Sequence, residues 1–134
     1  PLDEINMITD REQLIKMQEA ADAVYIADSV YEYIARLADA TRRNEMIQLG
    51  ISPRGTLALC RMAKAYAFVT GRTFVIPEDV SAVFNDVCGH RIIVSPKAKI
   101  AERKAEDILA DILRTEPVPQ IRQENATGAE GKKR

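Results

Sequence analysis

The sequence predicts a mostly α-helical fold, a small helical bundle with at most one very short two-stranded β element. Three observations lead there. Apolar residues recur at helical spacing in one segment after another. Proline stands just inside predicted helix starts at Pro53, Pro77 and Pro96. The β-favouring runs, Val24 to Ile26 and Phe74 to Ile76, are too brief to build more than a token sheet. With 134 residues, 46% hydrophobic and 29% charged, the chain matches one soluble domain with a real core.

Residues 1–8 read as a connector. Thr9 followed by Glu12 has the spacing of a capping box, and Leu14, Met17 and Ala21 then share one face of a first helix. After Val24-Tyr25-Ile26, Asp28 is placed to cap a second helix, with Val30, Tyr31, Ile34, Leu37 and Ala38 as its apolar stripe, fading near Arg43. Gly50 breaks the chain; Ser52 offers a hydroxyl cap and Pro53 the first turn of a helix to about Thr70, with Gly71 in the C′ position. Its buried face is expected to hold Thr56, Leu59, Cys60, Ala63, Tyr66 and Ala67, leaving Arg54, Arg61 and Lys64 on the other side.

Phe74-Val75-Ile76 repeats the earlier extended run, so the two are expected to pair, each leading into a helix. The second of these helices opens at Pro77-Glu78-Asp79, packs through Val80, Val83, Phe84 and Val87, and stops near Gly89. Ile92 to Val94 extends briefly. Ser95 and Pro96 then start one last charged helix, over 95–115, with Ala101, Ala105, Ile108, Leu109, Ile112 and Leu113 at helical spacing. Residues 116–134, with Pro117, Pro119, Gly128 and Gly131 among polar residues, are expected to be disordered.

The charge balance gives no general pull toward nucleic acid or anionic lipid: formal net charge is -1 and the sequence pI about 5.9. No apolar run approaches the roughly 20 residues that cross a bilayer, and with Pro1 in place of an initiator Met the chain reads as a cytoplasmic fragment. Cys60 and Cys88 lack metal-site spacing and are expected to be reduced, mostly buried thiols. No Gly-x4-Gly-Lys-Ser/Thr loop is present, so the chain alone lacks the phosphate cradle of a nucleotide hydrolase. His90, the sole histidine, has no nucleophilic partner nearby in sequence. The adjacent acids Glu78 and Asp79 read as helix N-terminal charges, and Glu106 and Asp107 as a solvated helix face. No catalytic residue is expected in this chain itself.

One ordered set of residues carries a resemblance. Gly50-Ile-Ser-Pro-Arg-Gly-Thr-Leu-Ala-Leu-Cys-Arg-Met-Ala-Lys-Ala, then Gly71-Arg72, Val75-Ile-Pro-Glu-Asp-Val80 and His90-Arg91, together resemble the C-terminal lid of MoxR-family AAA+ ATPases. Val24-Tyr-Ile and Ala40-Thr41-Arg42 extend the likeness, which covers about Thr9 to Val94; the lid is therefore placed at 9–94. In that family the Ser-Pro-Arg element is the sensor 2 motif, which implies that Arg54 reaches ATP phosphates. The residue chemistry agrees: a helix N-terminus favours anions, and a guanidinium offers fixed donors and permanent charge. Two positions depart from the family pattern. Ile76 stands where a hydroxyl cap is common, an expected loss of about 1 kcal/mol, and Cys60 replaces a commoner aliphatic residue.

The resemblance implies a lid that closes over ATP and Mg²⁺ held by a preceding α/β domain, in a homo-oligomeric, hexameric ring with chaperone-like activity and von Willebrand factor A domain partners. Two other readings remain open to the sequence: a DNA-binding or histone-like helical module, against which the balanced charge argues, and a protein-interaction domain using the charged last helix.

Overall fold

A computed structural model describes residues 10–120. The predicted connector, the Thr9 cap and residues 121–134 of the predicted tail lie outside the described residues. Six helices and one two-stranded ribbon are present among them: α1 (Arg11–Asp22), α2 (Asp28–Arg43), β1 (Ile47–Leu49), α3 (Pro53–Val69), α4 (Pro77–Cys88), β2 (Ile93–Val94), α5 (Pro96–Ile100) and α6 (Ala105–Thr115). This is the mostly α bundle that the apolar spacing predicts. No helix among the described residues is long and apolar enough to cross a membrane.

The core gathers the inward stripes of α2, α3, α4 and α6. Tyr33, Ile34 and Leu37 of α2 meet Leu59 of α3, Val80 and Phe84 of α4, and Ile108 and Leu109 of α6, all essentially inaccessible to solvent. Burying each such side chain contributes about 1.5–3 kcal/mol. The predicted α3 face is corrected at one position: Leu59, Ala63 and Ala67 are buried, Thr56 and Cys60 half-buried, and Tyr66 is 41% exposed. Tyr66 stands at the edge of the stripe that Leu59, Ala63 and Ala67 define.

α1 contributes no buried residue. It lies against α3, yet Leu14 and Met17, two members of its expected apolar face, are 56% and 49% exposed. Its cap is Asp10, whose carboxylate accepts the Gln13 N–H at 2.8 Å. In α2, Asp28 is the first helical residue rather than the cap, and Ala27 precedes it without a side-chain bond. Asp28 still places negative charge at the positive end of the helix.

The expected pairing of the two extended runs is reduced to one parallel bridge. Tyr25 donates its N–H to Thr73 O at 2.9 Å and accepts from Val75 N–H at 2.8 Å. The regular ribbon forms elsewhere, between β1 and β2, antiparallel with Ile47 opposite Val94 and Leu49 opposite Ile93 across an irregularity. The single predicted last helix is also two. Ser95 caps the short α5 by accepting the Ala98 N–H at 3.2 Å. The chain then turns through Glu102 at φ 56, a left-handed value that no continuous helix admits, before α6 begins. The residues after α6 start out docked on α2: Arg36 reaches Glu116 at 3.5 Å and donates to Pro117 O at 3.1 Å.

Candidate functional site

The start of α3 is built by three neighbouring pieces of chain. The short β1–β2 ribbon delivers the chain to Gly50, which lies against the end of α2. A Cβ there would sit 2.7 Å from both the Arg42 nitrogen and the Thr41 carbonyl carbon, so only glycine permits this approach. Ile51 follows, buried, and Ser52 caps the helix by accepting the Gly55 N–H at 3.2 Å. Pro53 occupies the first turn and Arg54 comes next, as the sequence implies. At the other end a Schellman arrangement closes the helix: Gly71 at φ 87 donates to Phe68 O at 3.0 Å and Arg72 to Ala67 O at 2.9 Å.

Arg54 is exposed, and neither a hydrogen bond nor an ion pair ties it to the other described residues. The first turn of α3 holds no acidic residue, so nothing in that turn neutralises the positive helix end beside it. An open cleft of about 590 Å³ adjoins this end, walled by Gly50, Ile51, Ser52, Arg42 and Arg91 among others, and none of its lining residues is acidic. Arg42 and Arg91, both exposed, add two more guanidiniums to the same side. Arg91 also packs near the helix start, since a Cβ on Gly55 would lie 3.5 Å from its Cδ. Chemically, the arrangement offers an oxyanion permanent cations at the positive end of a helix dipole.

The remaining residues singled out in the sequence are dispersed. Arg61 is exposed, and Lys64 donates to Asp22 O at 3.2 Å, tying α3 to the last turn of α1. His90 is exposed in the turn after α4. Glu78 points to solvent while Asp79 is wholly buried, bonded to Arg72 and accepting the Ile76 N–H at 2.8 Å. This carboxylate supplies the reciprocal half of a capping box, while the Asp79 N–H, with no side-chain acceptor at Ile76, donates to Ile76 O at 3.0 Å. Glu106 and Asp107 are both exposed, though Asp107 also accepts the Lys104 N–H at 3.1 Å. Cys60 is half-buried and Cys88 buried; burial pushes the Cys60 thiol up and raises Cys88 from 9.0 to about 12 against the opposing pull of Arg91.

Sequence reasoning assigned no role to Thr41, Arg42 or Arg91. Ala40-Thr41-Arg42 and His90-Arg91 stood within the resemblance, and that was their only signal, because both act here through contacts formed on folding.

Comparison with known proteins agrees with this fold. The family profile described as AAA lid domain matches residues 39–112, from late α2 into α6. The chain is 34% identical over 119 residues to the uncharacterized protein YeaC of Bacillus subtilis, covering 89% of this chain and 37% of that protein. It is 32% identical over 117 residues to the chaperone MoxR1 of Mycobacterium tuberculosis, covering 81% of this chain and 31% of the relative. A crystal structure of a proposed ATPase from Cytophaga hutchinsonii superposes with a TM-score of 0.80 at 28% identity, over 89% of this chain and 41% of the other. The chain thus spans about a third of the length of the two curated relatives.

Proposed function

Because this chain belongs to the AAA lid domain family and is a lid of the MoxR type, we propose that it closes over ATP held by an accompanying α/β domain, with Arg54 as the sensor 2 residue at the terminal phosphates. The observation that carries this reading is the open, acid-free start of α3, where a free guanidinium stands beside an unneutralised helix end. Residues and ligand fit: a phosphate oxygen accepts from a guanidinium in planar, charge-assisted hydrogen bonds. Among the described residues no group of three or more His, Cys, Asp or Glu could hold a metal ion. In this reading Mg²⁺ accompanies the phosphates on the accompanying domain.

Arg54 binds the γ-phosphate while it is present and loses that contact when it leaves. Since Arg54 rides on α3 and α3 is locked into the core, the change in contact moves the bundle as one body. The wider setting in this proposal is the one that the sequence resemblance implies: a homo-oligomeric, hexameric ring with von Willebrand factor A domain proteins as partners and chaperone-like remodelling of other proteins, the last supported by the name of one relative, the chaperone MoxR1. Replacing Arg54 by Ala in the full-length ATPase is expected to lower ATP turnover by about tenfold or more, as loss of a phosphate-directed arginine does. Lys restores charge without the planar fork and should recover only part. Wild-type turnover and ATP affinity in the Ala variant would refute the role.

A further inference from the structure

We propose that Thr41 and Arg42 are positioning residues for Arg54, clamping both backbone polar groups of Ile51 so that the start of α3 is fixed to the end of α2. The proposal rests on Arg54 being the phosphate contact. Ile51 N–H donates to Thr41 Oγ1 at 3.1 Å, and Ile51 O accepts from Arg42 Nε at 2.9 Å. Two consecutive side chains of one helix thus grip one residue of another segment from both sides. The Thr41 hydroxyl is fully committed, since it also donates to Ala38 O at 2.6 Å. It is 0% exposed, so no water stands ready to replace it. Gly50 completes the device by letting the backbone lie directly on Thr41 and Arg42.

The position of the clamp explains its use. Ile51 immediately precedes the Ser52 cap, and Arg54 follows in the first helical turn. A slack joint here would let the helix start swing on the ribbon, and about 1 Å of misplacement of a group aimed at reacting atoms can cost on the order of 100-fold in rate. With Ile51 held at both polar groups, a pull on Arg54 passes into α2, whose Val30, Tyr33, Ile34, Leu37 and Ala38 are buried in the core. Arg42 belongs to the joint through Nε and also lines the cleft beside it.

Valine at position 41 keeps the shape and removes the hydroxyl; serine keeps the hydroxyl. In the full-length ATPase, Thr41→Val should lower turnover about tenfold while Arg54 is present and change it less than about twofold in an Arg54→Ala background, because a residue acting only through another has nothing left to position. Thr41→Ser should stay within about threefold of wild type. Equal losses in both backgrounds, or no loss with Arg54 present, would overturn the positioning role. A silent Arg54→Ala would instead remove the phosphate contact, and the proposal with it, an outcome read without touching Thr41. In the 134-residue chain, amide exchange gives a second readout: the Ile51 amide should exchange about tenfold faster in Thr41→Val with the Leu59 amide unchanged. Unchanged Ile51 exchange would overturn the clamp itself.

Discussion

Two helices of this molecule begin almost alike and end up with opposite surroundings. Both α3 and α4 carry proline in the first turn and an arginine close by. At α4 the positive end is sealed: Asp79 turns inward, takes the Ile76 N–H and pairs with Arg72, and all of its surface is buried. At α3 the end is left open: Ser52 supplies a neutral cap, the first turn has no acid, and Arg54 stands exposed. The same helix dipole that α4 satisfies from within is available at α3 to an outside anion. The difference separates a joint that holds the bundle together from a surface that can answer a ligand.

Unsealing α4 should have the largest effect on stability. Asp79→Ala strips Arg72 of its counter-ion and leaves the Ile76 N–H without an acceptor. The loss expected in urea unfolding is about 3 kcal/mol, tempered by the partial exposure of the Arg72 side chain. A loss below about 0.5 kcal/mol would mean that the seal does not hold this end. Weakening the cap at α3 should matter less. Ser52→Ala removes one neutral hydrogen bond and is expected to cost about 1 kcal/mol, measured the same way.

The cysteines of the two helices, Cys60 midway along α3 and Cys88 at the end of α4, extend the contrast. Cys60 on α3 is half-buried, while Cys88 at the end of α4 is buried and its thiol is raised from 9.0 to about 12. A folded-state value above the unfolded one means that the native chain keeps this proton longer. The corresponding stability is intact below about pH 9 and is lost as pH climbs toward 12. Wild type should therefore be more stable than Cys88→Ala near neutral pH, with the gap narrowing across that alkaline window; a constant gap would contradict this. Under native conditions a thiol reagent should label Cys60 before Cys88.

What could be read from the sequence was mostly local. Ser52, Pro53 and Gly71 define α3 because caps and helix stops act within a few residues. The candidate Arg54 follows from the same stretch. Non-local features escaped. Ile47–Leu49 looks like nothing by itself, since its partner Ile93–Val94 lies far along the chain. The grip of Thr41 and Arg42 on Ile51 has no sequence period to betray it. In the last segment, apolar spacing runs across a break that the left-handed Glu102 creates, so two helices looked like one. For α1 the spacing put Leu14, Met17 and Ala21 on one face but could not say what covers it, and within the described residues Leu14 and Met17 remain largely exposed.

The most direct test of the open helix end compares two nucleotides. In the full-length ATPase, affinities for ATP and ADP should be measured for wild type and Arg54→Ala, alongside urea unfolding of both. An arginine that touches the terminal phosphate predicts that the variant loses most of its preference for ATP over ADP, while stability stays within about 0.5 kcal/mol of wild type, as for an exposed side chain without internal partners. An unchanged preference, or a large fall in stability, would place Arg54 in the scaffold instead.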